Sequence, residues 1–374
     1  MRIAVNTRCL LNDKLEGSGY FLMETFSRIT RWHTGHEFIF IFDRPFDERF
    51  VFGPNVKPVI ARPAARHPIL WKWWYDVKIP GVLKKYKADV FVSCDGCCSL
   101  STKVPQCLVL HDLAYLHFPN FMNKPEAFFY KKQTPKFLKI AKSVATISEF
   151  SKKDIITQFQ TEEKKISVVN SAAKDIFQPL SNEEKETTKR KFTDGKEYFL
   201  FSGPIHPSKN PMNLLKAFSV FKQRQKSGMK LVLAGRLASK HSSFPEKLKT
   251  YKFRNDVIVT GYLEENELVK LMGAAYALVY PSFLEGFGVP VLEAMQCNVP
   301  VITSANSAMQ EIAEDAALYA DPANYEDIAD KMMRIYKDEK LRQELINKGQ
   351  PIISKYTWDK TAELLWQTIL RAID

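Results

Sequence analysis

The sequence lacks any long hydrophobic run. Its beginning, M-R-I-A-V-N-T-R, carries an apolar stretch too short for a signal peptide, and no segment approaches the roughly 20 apolar residues of a membrane-spanning helix. Hydrophobic residues make up 45% of the 374-residue chain and charged residues 26%, which is ordinary for a globular protein. These absences predict a protein that stays in the cytoplasm.

Cysteine is also scarce. Six cysteines in a chain of this length do not suggest a disulfide scaffold. Three of them lie close together, Cys94, Cys97 and Cys98, but a zinc site needs a second pair of ligands at suitable spacing. The nearest candidate, Cys107, falls inside an apolar run that is typical of a strand. We therefore expect small buried side chains in a loop here, and no metal site.

Acidic residues are outnumbered, and the excess of positive charge is uneven. Residues 1–185 hold 28 Lys and Arg against 19 Asp and Glu, whereas residues 186–374 hold 26 against 23. A basic first half suits an anionic acceptor, an anionic membrane surface or nucleic acid. The sequence contains no zinc finger, RNA-recognition signature or helix-turn-helix pattern, which argues against nucleic acid.

Short apolar runs alternate with helical stretches along the whole chain, and no repeat of fixed period is present. This alternation predicts parallel α/β layers. Two series of strands are separated by residues 174–197, whose polar composition fits an exposed linker or a solvated helix. The predicted strands are Arg2–Asn6, Glu37–Phe42, Ala88–Val92, Gln106–Leu110, Ser143–Ile147 and Ile166–Val169, then Tyr198–Ser202, Lys230–Ala234, Val257–Thr260, Tyr276–Tyr280, Val299–Thr303 and Ala317–Tyr319.

The most informative segment is residues 280–303, Y-P-S-F-L-E-G-F-G-V-P-V-L-E-A-M-Q-C-N-V-P-V-I-T. An apolar run before it predicts a buried strand, and Val289–Pro290 predicts the start of a short helix. Glu285 and Glu293 flank the turn Gly286-Phe287-Gly288 after that strand. Ligands of open α/β sheets bind at the carboxyl ends of strands, glycines let the backbone approach them, and a helix start offers N–H groups to an anion.

This segment resembles the signature of the family-4 retaining glycosyltransferases, which have the GT-B fold. The resemblance lies in E-G-F-G-V-P-V-L-E, with seven residues between the two glutamates. In that family the first glutamate and the amides after it approach the donor sugar, and the second glutamate binds the nucleotide ribose. The resemblance therefore implies donor-binding roles for Glu285, Gly286, Phe287, Gly288, Val289 and Glu293.

The resemblance also implies an architecture. We expect two Rossmann-like domains that face each other across a cleft, an acceptor-binding domain over residues 1–175 and a nucleotide-sugar-binding domain over residues 176–355. Residues 356–374 are then expected to form a helix that crosses back onto the first domain. From the residues alone, the stretch around 358–373 predicts only an amphipathic helix.

A glycine-rich turn, Glu16-Gly17-Ser18-Gly19-Tyr20, follows the first predicted strand. Backbone amides at such a turn suit a pyrophosphate. The turn resembles the family's G-G-x-G-R-Y loop, although Glu16 replaces the first glycine and Tyr20 replaces the arginine. The match supports Gly17 as a donor contact and no other residue.

A histidine, His111, follows the apolar run that ends at Leu110. A histidine at the carboxyl end of a strand can hydrogen-bond a sugar hydroxyl or transfer a proton; the alternative is a histidine that satisfies local backbone groups. The sequence V-L-H-D-L resembles the region of the family's histidine that contacts the donor sugar, and this favours a catalytic role for His111.

The second half opens with F-S-G-P-I-H-P-S-K-N, a strand followed by a glycine turn and a lysine before a helix. Amides together with one ammonium group would bind a phosphate well. The segment resembles the family's G-x-x-x-P-R-K-N, whose basic pair neutralises the leaving diphosphate. Gly203 and Lys209 match it, but Ser208 stands where arginine is usual, so Ser208 is expected to offer a hydroxyl at most. Whether His206 or a residue elsewhere compensates is left open.

Two further segments fit the same family. Gly261 and Tyr262 end a predicted strand, and their family counterparts line the nucleotide-base pocket through backbone groups. Asn298 takes the place of a glycine in the family's C-G-x-P. Asparagine is the next-best residue for a left-handed helix cap, so this change is expected to be structural.

An aromatic and basic stretch, His67–Lys87, allows two interpretations. Trp71, Trp74 and Val77 are spaced as on one helix face, which suits packing inside a domain. The same face would also suit contact with an acceptor or a membrane.

Together these motifs predict a hexosyl-type glycosyltransferase that moves a sugar from a nucleoside diphosphate to a glycan or lipid-linked acceptor, with retention at the anomeric carbon and without a metal or other cofactor. The predicted catalytic residues are His111, Lys209 and Glu285. The predicted setting is cell-surface polysaccharide synthesis in the cytoplasm, with peripheral contact at the inner membrane face as one option and no nucleic acid. The alternatives are another GT-B enzyme, such as a sugar-nucleotide epimerase or a phosphorylase, and a non-catalytic protein that binds nucleotide sugars.

Overall fold

The structure is a computed structural model that describes residues 1–11, 15, 17–237 and 244–373; Glu16 of the glycine-rich turn lies outside them. The chain divides into two compact units. Unit 1 consists of Met1–Ser171 and Thr357–Asp374, and unit 2 of Ala172–Tyr356. The sequence predicts these boundaries after residues 175 and 355.

Unit 1 is built on a seven-stranded sheet in the order β3-β2-β1-β4-β5-β6-β7, in which every neighbouring pair is parallel. Its strands are mostly buried runs of valine, isoleucine and phenylalanine, as parallel sheets covered on both faces require. The strands are β1 Arg2–Asn6, β2 Glu37–Phe42, β3 Val56–Ile60, β4 Val90–Ser93, β5 Gln106–Val109, β6 Ser143–Thr146 and β7 Ile166–Val168. The helices are α1 Gly17–Trp32, α2 Pro68–Trp73, α3 Ile79–Tyr86, α4 Ala114–His117, α5 Lys124–Ile140 and α6 Glu149–Phe159.

Unit 2 is built on a six-stranded parallel sheet in the order β10-β9-β8-β11-β12-β13. Its strands are β8 Tyr198–Ser202, β9 Lys230–Ala234, β10 Val257–Gly261, β11 Ala277–Tyr280, β12 Val301–Ser304 and β13 Ala317–Ala320. Its helices are α7 Asn182–Thr193, α8 Pro211–Gln225, α9 Phe244–Lys249, α10 Glu265–Gly273, α11 Val289–Gln296, α12 Ala308–Ala313, α13 Tyr325–Lys337 and α14 Glu339–Ile353. The two parallel sheets confirm the prediction of two Rossmann-like domains.

The last helix, α15 (Trp358–Leu370), belongs to unit 1. It packs on α1, where the Trp358 ring lies 5.7 Å from the ring of Tyr20 and Trp366 stacks on His33 at 3.9 Å. The Ser143 hydroxyl of β6 donates to the carbonyl oxygen of Thr368 at 2.7 Å. The predicted return of the terminal helix to the first domain is therefore confirmed.

One strand was absent from the sequence prediction. β3 carries Pro58 and is half exposed, and it pairs only with β2 at the edge of the sheet. Proline cannot donate to a neighbouring strand, so it argues against a strand unless the strand is at an edge, and the edge position is set by the whole fold.

Local signals at helix ends behave as the sequence predicts. Ser181 caps α7 through a full capping box with Glu184, so the charge-rich linker segment begins a solvated helix. Asn298, after α11, has φ +57°, which confirms its expected left-handed conformation.

The aromatic stretch His67–Lys87 forms α2, a π-helical turn at Trp74–Lys78, and α3. The packing interpretation holds for part of this face, and contact with an acceptor or a membrane stays a prediction for the exposed part. Trp74 is fully buried and donates to the carbonyl oxygen of Ala61 at 2.7 Å, whereas Val77 is 53% exposed and Trp71 is half-buried. Among the described residues, no helix combines the length and the apolar character needed to cross a membrane.

Candidate active site

The side chains of unit 2 that are predicted to bind phosphate and sugar lie at the point where the strand order of the sheet reverses. From β8 the chain proceeds to β9 and β10 on one side and then returns to β11 on the other. The carboxyl ends of β8 and β11 are neighbours, and such switch points are where open α/β sheets bind ligands. Lys209 follows β8 and Glu285 follows β11, so the topology brings them together.

The two side chains form a direct ion pair. Lys209 Nζ lies 2.5 Å from Glu285 Oε1, and the same oxygen accepts a hydrogen bond of 2.8 Å from the Tyr280 hydroxyl. In the described residues, Glu285 Oε2 accepts no hydrogen bond, and the side chains of Lys209 and Glu285 keep 22% and 11% of their exposure. This edge of the sheet therefore carries a paired ammonium group and, beside it, a carboxylate oxygen that accepts no hydrogen bond from the described residues.

Tyr280 is a residue that sequence reasoning assigned only to the strand. It is the last residue of β11 and is buried, and burial together with the neighbouring Glu285 carboxylate raises its pKa well above the ordinary value. Its hydroxyl therefore stays protonated and donates to Glu285 at all ordinary pH values. No sequence signal separates this tyrosine from a core residue, because only the fold shows where its hydroxyl ends.

The turn after β11 is tightly built. Gly288 has φ +98° and precedes α11, and a Cβ there would lie 2.9 Å from Met309 Cγ, so glycine is required by both conformation and space. Phe287 is buried and packs against the ring of Tyr356 at 5.5 Å. Gly286 is buried and Val289, the first residue of α11, is half-buried. The turn is joined to the β8 loop by a hydrogen bond of 2.9 Å from the Phe283 amide to the Ser208 carbonyl oxygen.

Glu293 is a buried carboxylate in α11 with 9% exposure. Burial raises its pKa to about 7; the positive charge of Lys174 opposes this rise and the negative charge of Glu265 adds to it. Its carboxylate accepts no hydrogen bond from the described residues, although Lys174 and Glu265 pair with each other nearby. A buried carboxylate without a partner is costly, and such groups are concentrated at functional sites.

The loop after β8 is held by its own side chains. His206 Nδ1 lies 2.8 Å from Ser208 Oγ and accepts a weaker hydrogen bond from the Ser208 amide at 3.3 Å. Because the amide can only donate, Nδ1 is an acceptor and the hydroxyl donates to it as well. Ser208 is therefore engaged with His206 here. Gly203, with φ +133°, has only the Tyr280 ring within 4 Å of where a Cβ would be.

Three glycines join the ends of β8, β9 and β10. A Cβ on Gly235 would lie 1.8 Å from the carbonyl oxygen of Gly203, and Gly235 also forms a bridge with Gly261. Arg236, which follows Gly235, lies over the exposed ring of Tyr262, 4.1 Å from its centroid. Sequence reasoning identified Gly261 and Tyr262 but missed Arg236, a planar cation on an aromatic face beside the β8 loop.

His111 lies in unit 1, after β5. Its Nε2 is 3.2 Å from the carbonyl oxygen of Cys94, and its ring meets Phe21 edge-on at 5.3 Å. Burial lowers the pKa of His111, so the ring is neutral near pH 7. Since a carbonyl oxygen only accepts, Nε2 carries the proton and Nδ1 is left as an acceptor for a hydroxyl group.

The two glycines of the glycine-rich turn differ. A Cβ on Gly19 would lie 2.5 Å from the carbonyl oxygen of Cys9, so Gly19 is needed for packing. Among the described residues, a Cβ on Gly17, at the first position of α1, would meet no atom within 4 Å. Packing within this part of the chain does not explain the glycine, and its role as a donor contact stays a prediction.

All six cysteines lie among the described residues and are free thiols. Cys94, Cys97 and Cys98 are buried free thiols whose pKa values are raised well above the ordinary range by burial. In the same part of the chain, no group of three or more His, Cys, Asp or Glu side chains is arranged to hold a metal ion.

Comparisons with known proteins identify the family and the fold. The family model for glycosyl transferases group 1 matches residues 182–351, and the model for glycosyltransferase family 4 matches residues 20–172. In fold, the chain resembles the Anabaena protein HepE in complex with UDP and glucose, with a TM-score of 0.77 at 15% identity over 99% of both chains. The family models and the fold thus define a glycosyltransferase of the GT-B class.

Two curated relatives extend the comparison. O-antigen chain mannosyltransferase B of Escherichia coli is 28% identical over 250 residues, which cover 67% of this chain and 66% of that protein. O-antigen chain mannosyltransferase RfbU of Salmonella typhimurium is 27% identical over 321 residues, which cover 83% and 82%. The chain belongs to the family-4-type glycosyltransferases.

Proposed function

We propose that the chain is a retaining glycosyltransferase that moves a sugar from a nucleoside diphosphate to a glycan or lipid-linked acceptor in cell-surface polysaccharide synthesis. The observation that carries this proposal is the Lys209–Glu285–Tyr280 cluster at the switch point of unit 2. In this proposal residues 1–175 bind the acceptor and residues 176–355 the nucleotide sugar.

Donor binding would exchange the partners of Lys209. With no ligand its ammonium group is neutralised by Glu285. A diphosphate carries more negative charge than one carboxylate, so it competes for Lys209 and leaves Glu285 to accept hydrogen bonds from sugar hydroxyls. Tyr280 then holds one oxygen of Glu285 in place while the other faces the sugar.

The barrier to transfer falls when the charge that develops on the leaving diphosphate is stabilised. Lys209, the amides near Gly288 and the amide at Gly17 are proposed to do this, and Ser208 to add a hydroxyl. His111 is proposed to accept a hydrogen bond from the donor sugar through Nδ1, and Glu293 to bind the ribose. Gly203, Gly261 and Tyr262 are proposed to line the nucleotide.

The reaction needs no protein nucleophile in this scheme. The acceptor attacks on the face from which the diphosphate departs, and its proton passes to the departing phosphate oxygen. Lys209 supplies the positive charge that a metal supplies in other transferases, so we propose a metal-independent reaction.

The names of the relatives support one choice of transferred sugar. Both O-antigen relatives are mannosyltransferases, and we propose mannose as the sugar that this chain transfers. Both relatives are named for O-antigen chains, and we also propose that this chain works in contact with the inner face of a membrane.

Transfer from a panel of nucleotide sugars (GDP-mannose, UDP-glucose, ADP-glucose and dTDP-rhamnose) to mannosyl oligosaccharides tests the proposal. We expect one donor to be used, EDTA to have no effect, and proton NMR of the product to show the anomeric configuration of the donor. Lys209→Ala should lower kcat/KM by roughly 10²–10³-fold, because one charged contact to the leaving group is lost. Lys216→Ala, an exposed lysine on α8, is the matched control and should retain activity.

Other outcomes would point elsewhere. An epimerised free donor without acceptor would indicate an epimerase, and dependence on inorganic phosphate would indicate a phosphorylase. Nucleotide binding without turnover on any acceptor would indicate a non-catalytic protein. A product with the opposite anomeric configuration to the donor would contradict the retaining mechanism but not glycosyl transfer itself.

A further inference from the structure

The positive charge of unit 1 is concentrated in one part of the sequence. Residues 51–142 hold 15 Lys and Arg against 5 Asp and Glu, a surplus of 10. The rest of residues 1–185 holds 13 against 14 and is therefore nearly neutral. The basic character of the first half thus comes from the segment that contains α2, α3 and α5.

Much of this charge lies on one helix face. The exposed residues of α5 recur at helical spacing, and five of them are lysines: Lys124, Lys131, Lys132, Lys136 and Lys139. Within the part of the chain that the structure describes, none of these five lysines pairs with a carboxylate. Unpaired lysines on one face leave a positive field that an anionic surface can neutralise.

Large apolar side chains are exposed in the same segment. On α2 and the π-helical turn, the exposed fractions are 74% for Ile69, 38% for Leu70, 37% for Trp73 and 53% for Val77. On α5, Phe128 is 68% exposed. Two lysines accompany them: Lys78 Nζ lies 5.0 Å from the Trp73 ring, and Lys132 Nζ lies 5.8 Å from the Phe128 ring.

The two helices are neighbours. The Trp71 ring of α2 lies 5.4 Å from Phe129 and 5.9 Å from Tyr130 of α5. Phe129 is buried by this contact, so Phe128, the preceding residue of the same helix, turns away from it toward solvent. The exposed residues of α2 and α5 therefore border a shared packing contact, and we call them the α2–α5 surface.

We infer that the α2–α5 surface binds an anionic phospholipid membrane, with its lysines at the headgroups and Ile69, Trp73 and Phe128 inserted below them. The unpaired lysines supply the charge complementarity, and the exposed apolar side chains distinguish a membrane from other polyanions. A nucleic acid or an anionic glycan would need the lysines but would leave Ile69 and Phe128 in water. This inference deepens the proposed function, on whose membrane contact it rests, by naming the surface and the lipid charge.

Sedimentation of the full chain with lipid vesicles, without nucleotide or sugar, tests the inference. We expect binding to vesicles of phosphatidylglycerol and phosphatidylcholine, much weaker binding to phosphatidylcholine alone, and loss of binding as NaCl is raised. Lys131→Glu/Lys132→Glu should weaken binding by at least roughly tenfold. Ile69→Ser/Phe128→Ser should weaken it by roughly tenfold as well, because apolar insertion is lost.

The matched control is Lys247→Glu/Lys249→Glu on α9 of unit 2, which changes the net charge equally at two exposed lysines. It should bind vesicles like the native chain. No binding to anionic vesicles at low salt would overturn the inference, as would an equal loss in the control. Native-like binding by Ile69→Ser/Phe128→Ser would also overturn it and would favour a soluble polyanion. None of these results depends on transfer activity, so the inference and the proposed reaction can fail separately.

Discussion

Each unit carries an ion pair at the same topological position, but the two pairs differ in the hydrogen bonds that surround them. In unit 1 the strand order reverses between β1 and β4, and Arg8 pairs with Asp95 there at 2.7 Å. In unit 2 it reverses between β8 and β11, where Lys209 pairs with Glu285. The same sheet geometry therefore creates two crevices with a charged pair at each.

In unit 1 the pair is satisfied by its own neighbours. Asp95 Oδ2 accepts from Nε and Nη2 of Arg8, while Oδ1 accepts from Tyr75 at 2.5 Å and from Ser93 at 3.0 Å. Arg8 also stacks on the Trp71 ring at 5.0 Å. Burial alone would raise the pKa of Asp95, but the positive charge of Arg8 and these hydrogen bonds hold it below its ordinary value.

In unit 2, the hydrogen bonds to the carboxylates are incomplete among the described residues. Glu285 keeps one oxygen open, and Glu293 is buried with no hydrogen-bond partner among the described residues, so that its pKa rises to about 7. The pKa values of Asp95 and Glu293 therefore shift in opposite directions because their partners differ. Burial raises the pKa of Glu293, whereas the charge of Arg8 and the hydrogen bonds outweigh burial at Asp95. The filled crevice indicates a structural pair, and the incomplete one indicates a ligand site.

The largest effect is expected for Asp95→Asn. This change leaves the buried Arg8 guanidinium without its counter-charge, and breaking a buried pair in this way costs about 3–5 kcal/mol. Thermal unfolding at neutral pH should show a melting temperature lower by many degrees. Asp359→Asn is the matched control, because Asp359 pairs with Arg28 in the same unit but is 73% exposed, and its loss should cost at most about 1 kcal/mol. If the two substitutions lowered the melting temperature equally, the Arg8–Asp95 pair would not be the buried structural pair that we describe.

Glu293→Gln should raise the free energy of unfolding at alkaline pH, whereas Asp95→Asn lowers it. The folded-state pKa of about 7 lies above the ordinary 4.5. Between these values the folded chain keeps a proton that the unfolded chain has lost, so native stability falls as pH rises through this window. At pH 8 the variant should gain up to about 3 kcal/mol, and below pH 4.5 it should gain nothing from this source.

Melting curves of native and variant chains across that pH range measure this effect. Glu246→Gln, at an exposed position on α9, is the control and should behave like the native chain at both ends. A Glu293→Gln variant that is less stable than the native chain at pH 8 would mean that the carboxylate has a partner in the folded state.

The smallest effect on stability is expected for Glu285→Gln. The Lys209 side chain is 22% exposed, against 11% for Arg8, and Glu285 accepts fewer hydrogen bonds than Asp95, so unfolding should change less than for Asp95→Asn, by about 1–2 kcal/mol. Sugar transfer should nevertheless fall by at least roughly tenfold, because the carboxylate that we propose to bind the sugar is lost. A large loss of stability with unchanged transfer would make the unit 2 pair structural, like that of unit 1.

The sequence predicts one side of this comparison better than the other. Glu285 and Lys209 are recognisable because glycines, a strand end and a helix start surround them in a fixed order. The Arg8–Asp95 pair is invisible in the sequence, since its members are 87 residues apart and meet only when β1 and β4 become neighbours. Tyr280 was missed for a similar reason, because the direction of one hydroxyl depends on the completed fold.

Electrostatic state is another quantity that the pattern did not predict. The family resemblance implies a ribose-binding role for Glu293, but the raised pKa of this residue depends on how deeply α11 is buried and on the charges of Lys174 and Glu265. Strand β3 was missed because it contains Pro58, which a strand tolerates only at the edge of a sheet. The sequence does not show which strand lies at the edge.

The central claim is that unit 2 binds a nucleoside diphosphate through Lys209 and Glu293, and ligand-induced thermal stabilisation tests it most directly. UDP, GDP, ADP, dTDP and CMP would be added to the native chain, Lys209→Ala and Glu293→Ala. At 100 times its dissociation constant, a bound nucleotide should stabilise the native chain by about 2.7 kcal/mol and raise its melting temperature by several degrees. The account predicts that one diphosphate does so and that both variants lose the response. No response from the folded native chain, or a full response from both variants, would contradict it.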